Sequence, residues 1–301
     1  MKLTWFGTAC FALECGADRI LFDPFLELAG GAYAADPGKL LEYDTIFVTH
    51  CHFDHLSTAL WLLEEGEGEA SIFCTGQCCE TLEGFLEDTS NIVQIEAGRI
   101  FRIGSIAIDV LKGRHIEFQW RHIFDTMTPP RVLRYAGNLP YLFWANRTFR
   151  EAGESVVFHI SEGNSPVRAE GTDETSPKPK RPWSSPVRPE GTDDFGRGGG
   201  LPARSKRDIL LLGSLALDPG ERYPEGVDVL ILPYQGSNDL PKRAREVLER
   251  LRPKSVVLSH FDNAFPPMSR NVDLRPLKRM MEREFPGVRV VKPTAGKEIE
   301  I

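Results

Sequence analysis

The chain contains 301 residues, 41% of them hydrophobic, which is enough for one large domain with a substantial core. Its net charge of −7 argues against the broad basic surface of a nucleic-acid-binding protein. It lacks the apolar run of about 18 residues that a membrane-spanning helix needs, and its first residues lack the apolar core of a signal peptide. We therefore expect a cytoplasmic protein that binds neither nucleic acid nor a membrane.

The first third of the chain alternates between apolar strand patterns and helical patterns, which predicts a layered α/β architecture. The predicted strands span residues 2–6, 9–14, 19–23, 45–48, 71–74, 92–96 and 100–111. The predicted helices span residues 57–65 and 77–87. The hydroxyl of Ser57 is expected to cap the first helix by accepting a backbone N–H.

All six cysteines fall in this part of the chain, and no two of them form a Cys-x-x-Cys metal motif. In a cytoplasmic protein we expect them to be reduced, buried and structural. They are Cys10, Cys15, Cys51, Cys74, Cys78 and Cys79.

Residues 116–154 have a different character, because aromatic residues are interleaved with arginines and no clean period emerges. One interpretation is a lid over the substrate, since aromatic walls and bidentate guanidinium groups suit an anionic ligand. The alternative is a helical pair that packs on the body of the domain or forms the interface of a homo-oligomer. Within the segment, Arg121 is a candidate substrate-binding residue and His122 a candidate proton donor.

Residues 163–207 interrupt the fold pattern, because they are rich in Pro, Gly, Ser and charged residues. They contain an approximate repeat, in which residues 185–193 echo residues 165–173. Two copies are too few for a solenoid, and this composition cannot bury enough surface to offset chain entropy. The segment is predicted to be a disordered surface loop inserted between two strands.

The α/β alternation resumes after this insertion, so that residues 1–301 are predicted to form a single domain. The predicted strands span residues 155–160, 208–212, 227–232, 256–258, 288–291 and 297–301, and the predicted helices span residues 240–252 and 274–285.

The strongest functional signal is the segment Thr49–His55, which follows an apolar strand and contains three of the chain's seven histidines. A tight turn there holds side chains at the carboxyl edge of the sheet, where α/β proteins build their sites. Because side chains alternate along the chain, His50 and His52 point the same way. Asp54 and His55 lie past the turn, where they can face a second ion. Imidazole and carboxylate bind zinc and its first-row neighbours, so the spacing predicts a dinuclear metal site.

The His-x-His-x-Asp-His motif and the order of the segments around it resemble the metallo-β-lactamase superfamily. Within that superfamily, the chain is most similar to the hydrolases related to L-ascorbate-6-phosphate lactonase. The further similarities lie at residues 5–11, 20–25, 113–115 and 256–262, so the resemblance covers nearly the whole chain. It implies an α/β (α+β) fold, a four-layer αββα sandwich with the metals at the edge between the two sheets.

The resemblance also implies which residues hold the metals. One ion would be held by His50, His52 and His115, and the other by Asp54, His55 and His260. From the ligand types we expect one or two zinc ions, with manganese or iron as alternatives. Asp23, in an Asp-Pro pair behind the metals, is a candidate to orient a ligand histidine, and the alternative is that it is a turn aspartate before Pro24.

The chain departs from the family where an aspartate usually bridges the two metals. The matching pair is Gly213-Ser214, and a neutral hydroxyl neither bridges two cations well nor offsets their charge. The second ion is therefore expected to bind weakly or to be absent, unless another carboxylate takes the place of the missing one. Asp262, two positions after His260, is a candidate for that role, and the alternative is that it is a turn residue.

The function implied by the resemblance is hydrolysis, in which metal-activated water attacks an ester, lactone or phosphodiester bond of a small, anionic substrate. Asp54 is the candidate catalytic residue, because it can orient the water or accept its proton. The alternative class is a non-catalytic metal-binding or sensory protein with a degenerate dinuclear site. Ser214 at the bridging position motivates this alternative.

Overall fold

The computed structural model describes residues 1–33, 35–66, 70–116, 125–150, 153–162, 207–299 and 301. Within these ranges, the chain forms two seven-stranded sheets flanked by α-helices. No helix in these ranges is long and apolar enough to cross a membrane.

The first sheet is built mainly from the N-terminal third of the chain. Its strands are β1 (Lys2–Gly7), β2 (Cys10–Cys15), β3 (Asp18–Phe22), β4 (Thr45–Phe47), β5 (Ser71–Cys74), β6 (Ile92–Gln94) and β14 (Glu298–Ile299). They lie in the order β14-β1-β2-β3-β4-β5-β6. The pairs from β14 to β3 are antiparallel and those from β3 to β6 are parallel. The central parallel strands read as continuous apolar runs because both of their faces are covered.

The second sheet repeats this division into an antiparallel and a parallel half. Its strands are β7 (Ile100–Ile103), β8 (Ile106–Lys112), β9 (Val156–Glu162), β10 (Asp208–Leu212), β11 (Val229–Pro233), β12 (Ser255–Ser259) and β13 (Arg289–Val291). They lie in the order β13-β12-β11-β10-β9-β8-β7. Pairing is antiparallel from β7 to β10 and parallel from β10 to β13.

The helices form the two outer layers of the molecule. They are α1 (Pro37–Leu40), α2 (Phe53–Glu65), α3 (Gly76–Glu83), α4 (Pro129–Arg134), α5 (Leu139–Thr148), α6 (Leu240–Leu251) and α7 (Arg275–Glu284). The apolar faces of α2, α3 and α5 share a core with one face of the first sheet. The apolar faces of α6 and α7 share the main core with the facing strands of both sheets. The predicted four-layer αββα sandwich is confirmed.

Alternation along the strands assigns side chains to these two cores. Phe22 and Phe47 lie in the core between the sheets, where their ring centroids are 5.9 Å apart, whereas Leu21 and Ile46 face the helices. Phe158 of β9, in the second sheet, packs against this pair, and its ring centroid lies 5.7 Å from that of Phe22. Successive side chains of a strand point to opposite faces of the sheet, and both faces are covered here. This explains why these strands are apolar at successive positions.

Two local predictions were wrong. The predicted continuous strand 100–111 is a hairpin, because Gly104 adopts a positive φ of 54° and turns the chain between β7 and β8. The helix predicted to have Ser57 as its N-cap has His52 at that position, five residues earlier, and begins at Phe53. Ser57 lies inside α2, and its hydroxyl donates to the carbonyl of Phe53, 2.6 Å away.

The segment proposed as a lid is helical where the structure describes it. Helix α4, a 3₁₀ turn (Ala136–Asn138) and α5 follow one another, and α5 buries Leu142 and Ala145 in the core that it shares with α2. The Tyr141 hydroxyl donates to the hydroxyl of Ser57, 3.1 Å away, which ties α5 to α2. Residues 163–206, nearly all of the predicted loop insertion, lie outside the described residues.

Candidate metal centre

The motif residues are positioned by a change of direction between β4 and α2. The apolar, β-branched strand ends at Phe47, and α2 begins at Phe53, so His50 and His52 lie on the connecting loop. Asp54 and His55 occupy the first turn of α2, where the helix dipole also favours a carboxylate. The loop and the helix therefore present two successive sets of side chains at the carboxyl edge of the first sheet.

Two further histidines reach the same place from the second sheet. His115 follows β8, and His260 follows β12. His260 adopts a positive φ of 52°, and its N–H donates to the carbonyl of Thr8, 2.7 Å away. The turn after β12 is thus anchored to the hairpin between β1 and β2 of the other sheet.

The structure brings all six predicted ligands together as two groups. In each group, the candidate ligand atoms lie within 4.8 Å of one another. The groups are His50, His52 and His115, and Asp54, His55 and His260. Nε2 of His50 lies 3.1 Å from Nδ1 of His52, and Nε2 of His260 lies 2.9 Å from Oδ2 of Asp54. Five imidazoles and one carboxylate in this arrangement fit first-row divalent ions.

Asp23 holds the connecting loop and one of the histidines. It is fully buried, and its carboxylate accepts from the N–H of Thr49 at 2.7 Å and from the Thr49 hydroxyl at 2.8 Å. Oδ2 of Asp23 also lies 3.0 Å from Nδ1 of His55. The predicted contact between Asp23 and a candidate ligand is therefore present.

The hydrogen bonds made by Nδ1 determine which ring nitrogen faces the centre. The Thr49 hydroxyl, which donates to Asp23, can accept from Nδ1 of His50 at 3.0 Å. Nδ1 of His115 lies 2.8 Å from the carbonyl of Ile116, and Nδ1 of His260 lies 3.2 Å from Oε1 of Gln235. When these Nδ1 atoms carry the proton, Nε2 is left as the ligand nitrogen.

Burial keeps the three histidines of the first group neutral. It lowers the pKa of His50 well below its usual value, and the neighbouring His55 and His115 add to this effect. Burial also lowers the pKa of His52, and it lowers the pKa of His115 to about 3. All three imidazoles are therefore neutral near neutral pH, which is the form that binds a metal.

Two carboxylates set the charge of the second group: its own member Asp54, and Asp23 behind His55. Burial would lower the pKa of His55, but Asp23 and Asp54 outweigh it and raise the pKa. Burial would raise the pKa of Asp54, but the contact with His260 and the proximity of His55 hold it below its usual range. Asp54 is therefore ionised at neutral pH, as a metal ligand or a proton acceptor must be.

The remaining predicted site residues lie in different places. The Ser214 hydroxyl accepts from the N–H of Ile116, 3.0 Å away, so it supports the backbone beside His115. Asp262 is in neither group, and its Oδ2 accepts from the N–H of Thr8 at 2.9 Å, so its predicted role as a replacement carboxylate gains no support from its position. Arg121 and His122 lie outside the described residues.

Sequence reasoning missed two residues that orient the centre. Thr49 lies inside the motif, and its hydroxyl links Asp23 to His50. The link requires Asp23, which follows the neighbouring strand, to lie beside Thr49, and the local sequence does not show this. Gln235 lies just past the end of β11, and only the position after an apolar strand could have singled it out.

A sandwich of two mixed sheets with a His/Asp cluster at the edge between them defines the metallo-β-lactamase fold. In agreement, a model of the beta-lactamase superfamily domain matches residues 18–128. The metallo-β-lactamase fold protein YhfI of Bacillus subtilis superposes with a TM-score of 0.57 at 13% identity, covering 99% of both chains.

Curated relatives point the same way. A UPF0173 metal-dependent hydrolase of Thermoplasma volcanium is 30% identical over 164 residues, which are 54% of this chain and 64% of the relative. A UPF0173 metal-dependent hydrolase of Archaeoglobus fulgidus is 34% identical over 115 residues, 38% of this chain and 46% of the relative. The matched region thus spans less than two thirds of either relative. The chain therefore has the metallo-β-lactamase fold, and it is similar to these metal-dependent hydrolases over part of its length.

Proposed function

We propose that the protein is a metal-dependent hydrolase with two zinc ions, one held by each group of three ligands. The observation that supports this most strongly is the convergence of five histidines and Asp54 at one edge of the sandwich. The donor set suits zinc, and manganese or iron are the alternatives that the same ligands accept. When bound, such ions lower the pKa of water and polarise a carbonyl or phosphoryl oxygen.

Asp54 is the residue we assign to proton transfer. Its carboxylate is ionised at neutral pH and lies against His260 and His55. It can therefore orient the attacking water and accept its proton at a carboxylate oxygen. Asp23 and Gln235 act through the histidines that they contact, so they are positioning residues.

A pocket beside the centre supports an anionic substrate. The pocket has a volume of about 270 Å³, and His115 forms part of its wall. Arg114, Arg243 and Arg250 also line it, with Glu246 as the one acidic side chain of the lining. Both amino groups of the Arg250 guanidinium donate to backbone carbonyls, which fixes its charge at the pocket wall. A carboxylate or phosphate suits such a surface, because guanidinium groups bind these anions in a bidentate manner.

For the substrate, we propose a small ester, lactone or phosphodiester with an anionic substituent. A phosphorylated sugar lactone fits both the resemblance to L-ascorbate-6-phosphate lactonase and the arginines of the pocket. We expect a cytoplasmic location, in keeping with the six cysteines, all of which are free and buried.

The test is hydrolysis of lactone, phosphodiester and aryl ester probes by the purified protein. We expect activity on at least one anionic probe, abolished by a chelator and restored by zinc. Activity should fall by about 100-fold or more in His52→Ala, since a ligand is lost. Arg243→Ala should raise KM for the anionic probe and leave KM for a neutral analogue unchanged, with Arg279→Ala on α7 as the control.

The alternative function, a metal-dependent sensory or binding protein, is favoured by Ser214 at the bridging position. A protein that binds its full complement of metal and hydrolyses none of the probes would support this alternative and overturn the hydrolase proposal.

A further inference from the structure

An exposed cluster of aromatic rings lies where the end of α3 meets α5. The ring centroid of Phe85, just after α3, lies 6.2 Å from that of Trp144 on α5 and 6.1 Å from that of Phe149. Phe85 and Trp144 are each 43% exposed, and Phe143 is 74% exposed. With about 200 Å² for a whole aromatic side chain, these three leave roughly 300 Å² of aromatic surface in water. Exposed apolar patches of this size are often functional.

The outward direction of these rings follows from the helical spacing of α5. Phe143, Trp144 and Arg147 lie on its exposed face, whereas Leu142 and Ala145 pack in the core that α5 shares with α2. The packing of α5 on the domain therefore does not account for the exposed rings. We call Phe85, Phe143 and Trp144 the ring patch.

The charged residues on the two sides of the ring patch are divided by sign. On the α3 side, residues 76–88 contain four acidic residues and no basic one, and Glu80 and Glu83 are exposed. On the α5 side, residues 126–150 contain four arginines and no acidic residue, and Arg147 is exposed. No ion pair within the described ranges involves the side chains of Glu80, Glu83 or Arg147. These charges are therefore available to a partner.

From this arrangement we infer that the ring patch is the interface of a homodimer. In a dimer with a two-fold axis, each copy presents the same surface to the other. An axis through the ring patch places the acidic α3 side of each copy against the basic α5 side of its partner. Aromatic residues and arginine are also the types enriched in interfaces. An anionic membrane or a nucleic acid fits less well, because the acidic residues of α3 border the rings.

The size of the ring patch predicts a weak dimer. A standard interface buries about 800 Å² on each partner, and the rings supply roughly 300 Å² of this, so the charged residues around them must supply the rest. We expect a Kd on the order of 1–100 μM. At protein concentrations well below this value the chain is a monomer, and Phe143 is exposed to solvent.

The interface lies close in the structure to the helix that carries part of the candidate metal centre. Helix α5 packs on α2, and the Tyr141 hydroxyl donates to that of Ser57. Asp54 and His55 lie at the start of α2. Pairing of two copies would therefore hold α5 against the helix that bears these two residues. The inference is independent of the proposed hydrolase activity, because it rests on association alone.

Sedimentation of the whole protein, at concentrations from well below to well above the expected Kd, tests the interface. We expect the mean mass to rise from that of a monomer to that of a dimer. Trp144→Ala should raise the Kd by about tenfold or more, because aromatic residues at the centre of an interface contribute most. Leu41→Ala is the matched control, since Leu41 is 41% exposed and lies next to α1, and its Kd should equal that of the wild type.

Charge reversal tests the pairing of α3 with α5. Arg147→Glu and Glu83→Arg should each raise the Kd by about fivefold, because like charges then face each other. The double variant restores opposite charges and should recover most of the wild-type affinity, which also shows that the single variants fold. A double variant no tighter than the single ones would overturn this pairing.

A wild-type chain that stays monomeric at every concentration, or a Trp144→Ala variant that dimerises like the wild type, would overturn the inference. Co-sedimentation with phosphatidylserine vesicles checks the competing occupant. Binding of the monomer to these vesicles that is lost in Trp144→Ala would assign the ring patch to a membrane surface instead.

Discussion

At the scale of single residues, the candidate centre depends on the hydrogen bonds that orient its histidines. Asp23 serves two elements at once, since it accepts from Thr49 on the loop and from His55 on α2. The Thr49 hydroxyl, which Asp23 holds in place, in turn hydrogen-bonds to Nδ1 of His50 and orients its ring. A carboxylate behind a ligand histidine fixes its tautomer and its orientation, which is why such contacts tune metal affinity.

Asp23→Asn is therefore expected to weaken zinc binding by about 10- to 100-fold while leaving the fold intact. The amide replaces one carboxylate oxygen by an NH2 group, so it can no longer accept from the Thr49 N–H, the Thr49 hydroxyl and His55 together. Competition with a chromophoric chelator measures the affinity. The matched control is Asp44→Asn, an exposed aspartate just before β4. Equal zinc affinities for Asp23→Asn and the control would contradict the role of Asp23.

Ser214 provides a second prediction at this scale. Its hydroxyl accepts from the N–H of Ile116, and a carboxylate could keep this hydrogen bond while offering its other oxygen to the metals. Ser214→Asp should therefore tighten binding of the second ion, by about tenfold or more. Isothermal titration of the metal-free protein with zinc reads this out. An unchanged or weaker second binding step would mean that position 214 does not face the ions.

At the scale of elements, the helix that follows the motif is part of the site. Because α2 begins at Phe53, it places Asp54 and His55 on its first turn and packs its apolar face against the first sheet. Sequence reasoning placed this start too late, because the metal ligands at the helix start hid the apolar period. The N-cap preference of serine favoured Ser57 as the start of the helix. The first turn instead contains Asp54 and His55, whose contacts are with residues that are distant in sequence.

Two neighbouring apolar residues of α5, one buried and one exposed, allow a test of how this helix packs. Leu142 is 2% exposed and packs in the core shared with α2, whereas its neighbour Phe143 is 74% exposed. Leu142→Ala should lower the free energy of unfolding by about 2–5 kcal/mol. Phe143→Ala should change it by no more than about 0.5 kcal/mol. Chemical denaturation measures both values, and similar effects for the two variants would show that α5 does not pack on α2 as described.

At the scale of the whole molecule, the site exists because the two sheets pack face to face and bring their strand ends together at one edge of the sandwich. Residues after β3, β4, β8 and β12 supply the ligands and their supports, so neither sheet alone could build the centre. The sheets touch closely at this point, since the N–H of Val156 donates to the carbonyl of Thr49.

Gly213 lies against Thr49 at this contact and leaves no room for a side chain. A Cβ at Gly213 would lie 2.4 Å from Oγ1 and 2.6 Å from Cβ of Thr49, so Thr49 would have to move. Gly213→Ala is expected to weaken zinc binding by about tenfold and to cost about 1–3 kcal/mol of stability. The control is Gly137→Ala, where an added Cβ would meet nothing within 4 Å. Normal zinc affinity in Gly213→Ala would contradict the tight inter-sheet contact.

The sequence was sufficient for the layers and for the six candidate ligands, because each ligand follows an apolar strand and strand ends converge in this fold. It was insufficient for contacts between strands that are far apart in the chain. The pairing of Asp262 with Glu27 is one example, and the Gln235 contact with His260 is another. These depend on which turns face each other, and no local period encodes that.

The count of metal ions per chain tests the central claim most directly. Purified protein should contain close to two zinc ions, or ions of a related first-row metal, per chain. His52→Ala should contain fewer, because the group of His50, His52 and His115 loses a ligand. His159→Gln, which alters a histidine outside both groups, should retain the full content. One ion or none in the folded wild-type protein, or equal content in the wild type and His52→Ala, would contradict the two-group centre.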